Sequence, residues 1–389
     1  MQEIPRANIF GYEGKFPGHV CGDAVDLIRG RPTGAVRISF GYMSQRKDVE
    51  TIVKILKENF IENSPPNDLH VISNGLKENR APTSSIWLSG LSLYPIKSCA
   101  AQSIEGSWPL DDKGLQFDRH WLITTGSGVA VTQKRLPQLA VVHPNVQLSK
   151  HRLQLNATAT EVLDPITIPL DHDAGELSSA SLCSVRVCGD RVPANVLDDV
   201  EVSDWLRDVT GTEGLRLTEQ TEVIRKCRLK NVAGENSTPI SFANESQFVL
   251  VSLVSIRQLK DWMKARNPSA TLDQEAEHLV SRFRPNIVID GDIDAFEEDN
   301  WKTLQIGNQV FESLGPCNRC QMVCIDQKTG EKSKEPLTTL STFRGPRIPF
   351  GIHLRMINQG THAGETPRLT IGDEVTITER QVNATNGLQ

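Results

Sequence analysis

Hydrophobic and polar positions divide the chain into three stretches. Over 36–42, β-branched and aromatic residues run together and predict a strand. Val49, Ile52, Val53, Leu56 and Phe60 then recur at helical spacing, which gives one apolar helix face. Periodicity stops over 64–85, where Ser-Pro-Pro-Asn opens and Asn-Arg-Ala-Pro-Thr-Ser-Ser closes a linker-like segment. From Ile86 onward, Gly, Pro and Asp punctuate short apolar runs. Strands are predicted over 91–95, 120–125, 140–148, 152–156, 184–188 and 222–228, then 286–290, 310–314, 322–326, 353–357 and 374–378. Many short strands with frequent turns suggest a barrel or sandwich. Helices are few. One is expected over 204–209, with Ser203 as N-cap and Gly211 after its end. A second follows Ser255, which pairs with Gln258 as a capping box, and Ile256, Leu259, Trp262 and Met263 give it an apolar face. No internal repeat recurs at a fixed period.

Length and composition narrow the class. The chain has 389 residues, 38% hydrophobic and 23% charged, which suits folded domains and excludes global disorder. With 42 Lys and Arg against 48 Asp and Glu, the formal charge of −6 gives no broad basic footprint for nucleic acid. The longest apolar stretch, near 248–256, is broken by Ser252 and Ser255 and falls short of the ~20 residues of a membrane span. No basic segment leads into an apolar run at the N-terminus, so no secretory leader is expected. The 8 cysteines are therefore expected to be reduced thiols in the cytoplasm rather than a disulfide framework.

Candidate chemistry concentrates in Gly315-Pro316-Cys317-Asn318-Arg319-Cys320-Gln321-Met322-Val323-Cys324. A C-x-x-C pair can serve zinc, a redox couple, or a metal carried by an organic ligand. A closed zinc site needs four ligands and no second pair follows. A thioredoxin-like pair would open a helix, whereas 322–326 is predicted as a strand. Arg319 can favour a neighbouring thiolate. Cys317 and Cys324 are read as buried structural thiols. Basic residues beside turns form a second signal, in Tyr94-Pro95-Ile96-Lys97-Ser98-Cys99, Asp118-Arg119-His120-Trp121 and Arg282-Phe283-Arg284-Pro285-Asn286. Lys and Arg with Ser and Asn at strand ends can hold a phosphate, although spacing alone does not make them converge. His353 is read as a satisfied core or surface histidine.

These motifs resemble a known family. Y-P-I-K-S-C at 94–99, D-R-H-W at 118–121, F-R-P-N-I at 283–287 and P-C-N-R-C at 316–320 occur in the order found in MOSC-domain proteins. Ahead of them, G-H-V-C-G-D at 18–23 and R-P-T-G-A-V-R-I-S-F-G-Y-M-S at 31–44 are similar to the end of a class V aminotransferase, or cysteine desulfurase, domain. The whole chain thus resembles the C-terminal part of eukaryotic molybdenum cofactor sulfurases.

The resemblance implies a mainly β fold with α+β elements. Its expected organisation is an aminotransferase remnant over 1–63, a linker over 64–85, a MOSC N-terminal β-barrel domain over 86–215, a MOSC β-barrel domain over 216–380 and a tail over 381–389. It implies binding of the molybdenum cofactor, a pterin dithiolene with a terminal phosphate. Lys97, Ser98, Arg119, Ser246, Arg284 and Asn286 would then hold phosphate and pterin, and Cys320 would ligate molybdenum and serve as the catalytic thiol. Family members replace a molybdenum oxo ligand by sulfur, a sulfurtransferase activity that activates xanthine dehydrogenase and aldehyde oxidase. Pyridoxal phosphate belongs to the parent family, but the region of its lysine is expected to be missing here. Arg37 matches the arginine that grips the substrate cysteine carboxylate. Such a chain is not expected to desulfurate cysteine alone. Two other readings stand beside this one. One is a molybdenum-dependent reductase of N-hydroxylated compounds, a class whose membrane anchor is not expected here. The other is a truncated, non-catalytic cofactor-binding protein. Glu245 and His353 sit where the reductases carry other residues, so a different substrate face is implied.

Overall fold

A computed structural model describes residues 27–28, 31–32, 86–158, 163–170, 181–187, 190–221, 225–226, 238–268, 276–358 and 366–381. The chain divides into two units, Met1–Arg80 and Ala81–Gln389. In the first, Leu27–Ile28 pairs antiparallel with Arg31–Pro32. The strand expected over 36–42, the helix face ending at Phe60, the linker and Arg37 lie outside the described residues.

The second unit is mainly β, as the punctuated apolar runs predict. Its largest sheet is built from β1 (Ile86–Leu93), β3 (Gln102–Ser103), β11 (Phe248–Ser252), β12 (Ile287–Gly291), β13 (Trp301–Ile306), β14 (Gln309–Asn318), β15 (Pro349–Asn358) and β16 (Val375–Arg380). The strand order is β16-β13-β14-β15-β11-β12-β1-β3. A single bridge from Trp87 to Glu374 ties β1 back towards β16. The sheet therefore curls, but among the described residues no continuous ladder closes it into a barrel.

A second sheet joins β2 (Ile96–Lys97), β4 (Trp121–Thr125), β8 (Ser181–Val187), β9 (Asp190–Leu197) and β10 (Leu215–Gln220), in the order β8-β9-β10-β4-β2. A third stacks β5 (Val142–Gln147), β6 (Arg152–Ala157) and β7 (Ile166–Pro169). In β6 alternation is direct, with Leu153 and Leu155 buried between polar neighbours. Trp121, Phe248, Trp301 and Phe311 are fully buried in the main core, and Phe248 meets Phe311 edge to face. Each such burial contributes about 1.5–3 kcal/mol.

Helices connect what the sheets cannot. β11 and β12 run parallel, which requires a long crossover; α2 (Leu253–Arg266) and α3 (Ala276–Phe283) lie within it. Ser252 caps α2 by accepting from Val254 N at 3.1 Å. Ser255, expected as the cap, instead sits inside α2 and binds Glu298. Ile256, Leu259 and Met263 form the buried face, as their spacing predicts. α1 (Val200–Thr210) starts earlier than expected because Asp199, not Ser203, accepts from Glu201 N and Val202 N. Gly211 ends α1 in the left-handed conformation, as expected. The strand expected over 322–326 is a 3-10 turn, Gln321–Cys324, that starts from extended Cys320. α3 and α4 (Leu337–Phe343) were not expected. Most of the strand expected over 222–228 is undescribed; Arg225–Lys226 pairs with Pro239–Ile240.

Candidate functional site

The three basic motifs do converge. Lys97, Ser98, Arg119, Ser246, Arg284, Asn286 and Cys320 all line one cleft of about 580 Å³. Backbone pairing brings the segments together. Arg119 N donates to Tyr94 O at 2.8 Å and Trp121 N to Pro95 O at 3.1 Å, which locks the turn after β1 onto the start of β4. Asn286 N donates to Val249 O at 2.9 Å, and Arg319 N to Ile348 O at 3.0 Å. Ser98, Arg119 and Arg284 all have positive φ, at 68°, 49° and 53°. Left-handed backbone at non-glycine residues is held only where surrounding bonds over-determine it, and such positions cluster at ligand sites.

Asp118 organises this wall. It is buried, and its Oδ1 accepts from Tyr94 N at 2.9 Å and Asn286 Nδ2 at 3.1 Å, while Oδ2 pairs with Arg119. Burial pushes its pKa up despite the Arg119 charge. Arg119 Nη1 also donates to Asn286 Oδ1 at 2.9 Å. Arg119 and Arg284 both lie over the Tyr94 ring, at 4.3 and 4.4 Å from its centroid. Burial lowers the Arg284 pKa to about 10, so it remains cationic at neutral pH. Lys97 Nζ donates to Phe242 O at 2.7 Å and pairs with Asn244 Oδ1. The sequence motifs contain Asp118 and Tyr94, but their roles depend on partners far along the chain.

The C-x-x-C segment lines the same cleft. Cys320 is exposed at the cleft, whereas Cys317 and Cys324 are buried. Arg319 donates to Phe350 O at 2.8 Å and Phe283 O at 2.9 Å, so its cation sits among backbone oxygens beside the thiols. Cys317 departs from an inert buried thiol. Burial would raise its pKa, but Arg319 and His353 outweigh burial and hold it below the ordinary value. His353 is also more than a satisfied core residue. It lines the cleft, 4% exposed, with Nδ1 2.7 Å from Ser246 Oγ and Nε2 2.9 Å from Glu245 Oε2. Burial would lower its pKa, yet Cys317 and Glu245 raise it to about 9. Ser246 reaches the cleft, but its hydroxyl is already engaged by Phe248 O and His353.

The lining is strongly cationic. Lys97, Arg119, Lys134, Arg186, Arg282, Arg284 and Arg319 face it, with Glu245 as its carboxylate. That balance suits a multiply charged anion. Among the described residues no cluster of His, Cys, Asp or Glu could by itself hold a metal ion. Cys320 can offer one soft thiolate to a metal that arrives with its own ligands. The donor set therefore fits a phosphate-bearing, metal-carrying ligand.

The model of the MOSC N-terminal beta barrel domain matches residues 85–213, and that of the MOSC domain matches 237–376. A molybdenum cofactor sulfurase of Drosophila persimilis is 38% identical over 94% of this chain and 45% of its own length. That of Drosophila melanogaster is 36% identical over 93% of this chain and 44% of its own length. That of Danio rerio is 34% identical over 92% and 45%. The chain spans about half the length of the curated relatives it matches. The solved YUAD protein of Bacillus subtilis covers 75% of this chain at 10% identity with a TM-score of 0.30, too loose a likeness to carry an argument. No described helix is long and apolar enough to cross a membrane. The paired domain matches and the sustained identity show that the chain belongs to the MOSC-domain proteins and shares a family with the molybdenum cofactor sulfurases it resembles along most of its length.

Proposed function

We propose that the chain binds the molybdenum cofactor in the cationic cleft and serves the replacement of a molybdenum oxo ligand by sulfur. The observation that carries this reading is the shared cleft lined by Lys97, Ser98, Arg119, Arg284, Asn286 and Cys320. Arg119, Arg284 and Lys97 provide charge-assisted donors for a terminal phosphate of charge near −2. Asn286 fixes Arg119 by accepting from its guanidinium. Cys320 is the thiol placed to ligate or position the metal, and the cofactor itself supplies the soft metal centre on which sulfur exchange occurs. Ser246 contributes by holding His353.

The domain assignment belongs to this reading: a remnant of a cysteine desulfurase over 1–63, a linker over 64–85, and the two cofactor-binding domains over 86–215 and 216–380. The sulfur would come from pyridoxal-phosphate chemistry elsewhere in the parent protein, and Arg37 would belong to that substrate pocket. The recipients would be xanthine dehydrogenase and aldehyde oxidase, in the cytoplasm.

The test is to purify the chain from cofactor-rich cells and measure molybdenum and pterin together. We expect near-stoichiometric pterin in the wild type, loss of molybdenum with pterin partly retained in Cys320→Ala, and loss of both in Arg119→Ala/Arg284→Ala. Absence of pterin from the wild type would sink the reading. Electron transfer to an N-hydroxylated substrate would replace sulfuration by reductase chemistry.

A further inference from the structure

Arg282 and Arg284 both face the cleft, and two adjacent residues of one hairpin hold them. The hairpin covers 325–332. A bridge between Ile325 and Lys332 closes it, and Asp326 N donates to Glu331 O at 2.9 Å. Asp326 Oδ2 lies 2.6 Å from Arg282 Nη2 and 2.7 Å from His278 Nε2. Gln327 Oε1 accepts from Arg284 Nη1 at 3.1 Å. Arg282 therefore has a carboxylate beside it, whereas Arg284 has a neutral amide. Among the described residues no carboxylate forms an ion pair with Arg284, because Asp118 pairs with Arg119. A buried cation without a counter-ion is costly unless an anion joins it.

The amide of Gln327 is not free to turn. Its Nε2 donates to Ile325 O at 3.0 Å and to Gln133 Oε1 at 3.2 Å, while Gln133 Nε2 donates back to Gln327 Oε1 at 3.1 Å. A backbone carbonyl only accepts and a guanidinium only donates, so one orientation satisfies both ends. Gln133 is fully buried and Gln327 nearly so. Gln133 belongs to the N-terminal barrel domain and Gln327 to the MOSC domain. The hairpin is seated on the same stretch of the first domain. Lys332 Nζ donates to Lys134 O at 3.0 Å, and a Cβ on Gly330 would fall 2.9 Å from Pro137 O. Neither glutamine lines the cleft, so both act through Arg284.

We propose that Gln327, locked by Gln133 of the other domain, is a positioning residue that fixes Arg284 at the cleft and leaves its charge uncancelled for an anionic group of the ligand. The Tyr94 ring supports the guanidinium from one face, 4.4 Å away, and the amide fixes its rotation from the edge. A carboxylate in place of the amide would also hold the guanidinium, but it would cancel the charge. This deepens the cofactor reading and rests on it for the phosphate that Arg284 meets. It names a residue that sets phosphate affinity without touching the ligand.

The experiment titrates the full chain with inorganic pyrophosphate by calorimetry at several salt concentrations, with urea midpoints measured beside it. Gln327→Glu keeps an acceptor for Arg284, and its affinity should fall at least roughly tenfold. Its salt dependence should also become shallower, because one cation no longer acts on the ligand. A merely structural amide would move the urea midpoint and leave the salt dependence alone. Gln327→Met keeps the volume and the charge but loses the tether, so a fall of roughly threefold is expected with the salt dependence of the wild type. It replaces Gln327→Glu as the test should that variant not fold. Gln133→Met should fall in the same direction by less, since Ile325 O still holds the amide. Unchanged affinity in Gln327→Glu would overturn the proposal, as would a fall that leaves the salt dependence of the wild type or, where the methionine variant serves, unchanged affinity there. Pterin content, measured on the same preparations, separates the two readings. Pyrophosphate binding with the expected variant pattern in a chain that carries no pterin removes only the cofactor reading. Bound pterin with pyrophosphate affinity insensitive to Gln327 removes only the present one. A wild type that binds neither removes both.

Discussion

Asn286 Oδ1 accepts from Arg119 Nη1 at 2.9 Å, although 167 residues separate them in the chain. The same amide donates from Nδ2 to Ser92 O at 3.2 Å and to Asp118 Oδ1 at 3.1 Å. Asn286 is thus a tie between the two family domains as well as part of the cleft. Asn286→Ala removes these bonds and leaves buried Asp118 under-satisfied. We expect a loss of roughly 2–4 kcal/mol of stability by urea unfolding, as buried polar groups left without partners cost about 1–3 kcal/mol each. A change under half that range would show that water replaces the amide.

Tyr94 supports two cations at once. Arg119 and Arg284 lie 4.3 and 4.4 Å from its ring centroid, and the residue is 1% exposed. Each contact contributes about 0.5–2 kcal/mol through the ring face. Tyr94→Phe keeps the face, so its affinity for inorganic pyrophosphate should stay within about twofold of wild type. Tyr94→Leu should lose roughly tenfold, because both guanidinium groups lose their platform. Equal affinities for the two variants in calorimetry would remove the ring from the account.

Gly351 fixes how closely β15 approaches β11. Its φ is +69°, and a Cβ there would fall 2.4 Å from Leu250 O and 2.9 Å from Val251 Cγ2. Gly351→Ala therefore meets both an unfavourable left-handed conformation, at about 1–2 kcal/mol, and overpacking of about 1–3 kcal/mol. A fall of at least roughly 2 kcal/mol is expected by the denaturant midpoint. Full retention of stability would mean that the strands can separate without penalty.

The strand pattern was readable where one face is buried and the other wet, as in Leu153 and Leu155 of β6. It misled at 322–326. The apolar run of Met322, Val323 and Ile325 fits a strand, but the turn Gln321–Cys324 is set by Val323 N reaching back to Cys320 O at 3.1 Å. The cap of α1 was misplaced because Ser203 and Asp199 are both good N-caps, and only the backbone decides which one begins the helix. In the site, Lys97, Arg119 and Arg284 were visible as cations beside turns. Their convergence was not, since it depends on Asp118 and Asn286 meeting over long sequence distances. The state of Cys317 was hidden for the same reason. Its sequence neighbourhood shows Arg319, but His353, whose charge also lowers the Cys317 pKa, comes from the adjacent strand. Local spacing reports which groups are available, whereas strand pairing decides which of them share charge.

Glu298 makes a separate prediction, away from the cleft. It is fully buried, and both its carboxyl oxygens lie within hydrogen-bond reach of Ser255 Oγ, at 2.7 and 2.9 Å. Phe296 N in turn donates to Ser255 Oγ at 2.8 Å, so the group anchors the chain after β12 onto α2. Burial pushes the Glu298 pKa from 4.5 up to about 7, against the opposing effect of the Ser255 hydrogen bond. The sign follows from proton binding. Between the two values the folded chain keeps a proton that the unfolded chain has released, so stability falls as pH rises through this window and levels off above it. The full loss is up to roughly 3 kcal/mol. Asp326 works in the opposite direction and lower down. Burial would raise its pKa, but His278 and the backbone of Lys328 and Thr329 hold it at about 2, so its contribution is lost as pH falls from the ordinary carboxylate range towards that value. The two windows therefore separate. Urea midpoints of wild type and Glu298→Gln, compared at about pH 5 and pH 7.5, should diverge. The wild type should lose stability relative to the variant at the higher pH, because the amide cannot ionise and only the buried carboxylate must be charged. A constant difference between the two proteins across that range would show that Glu298 titrates as an ordinary carboxylate.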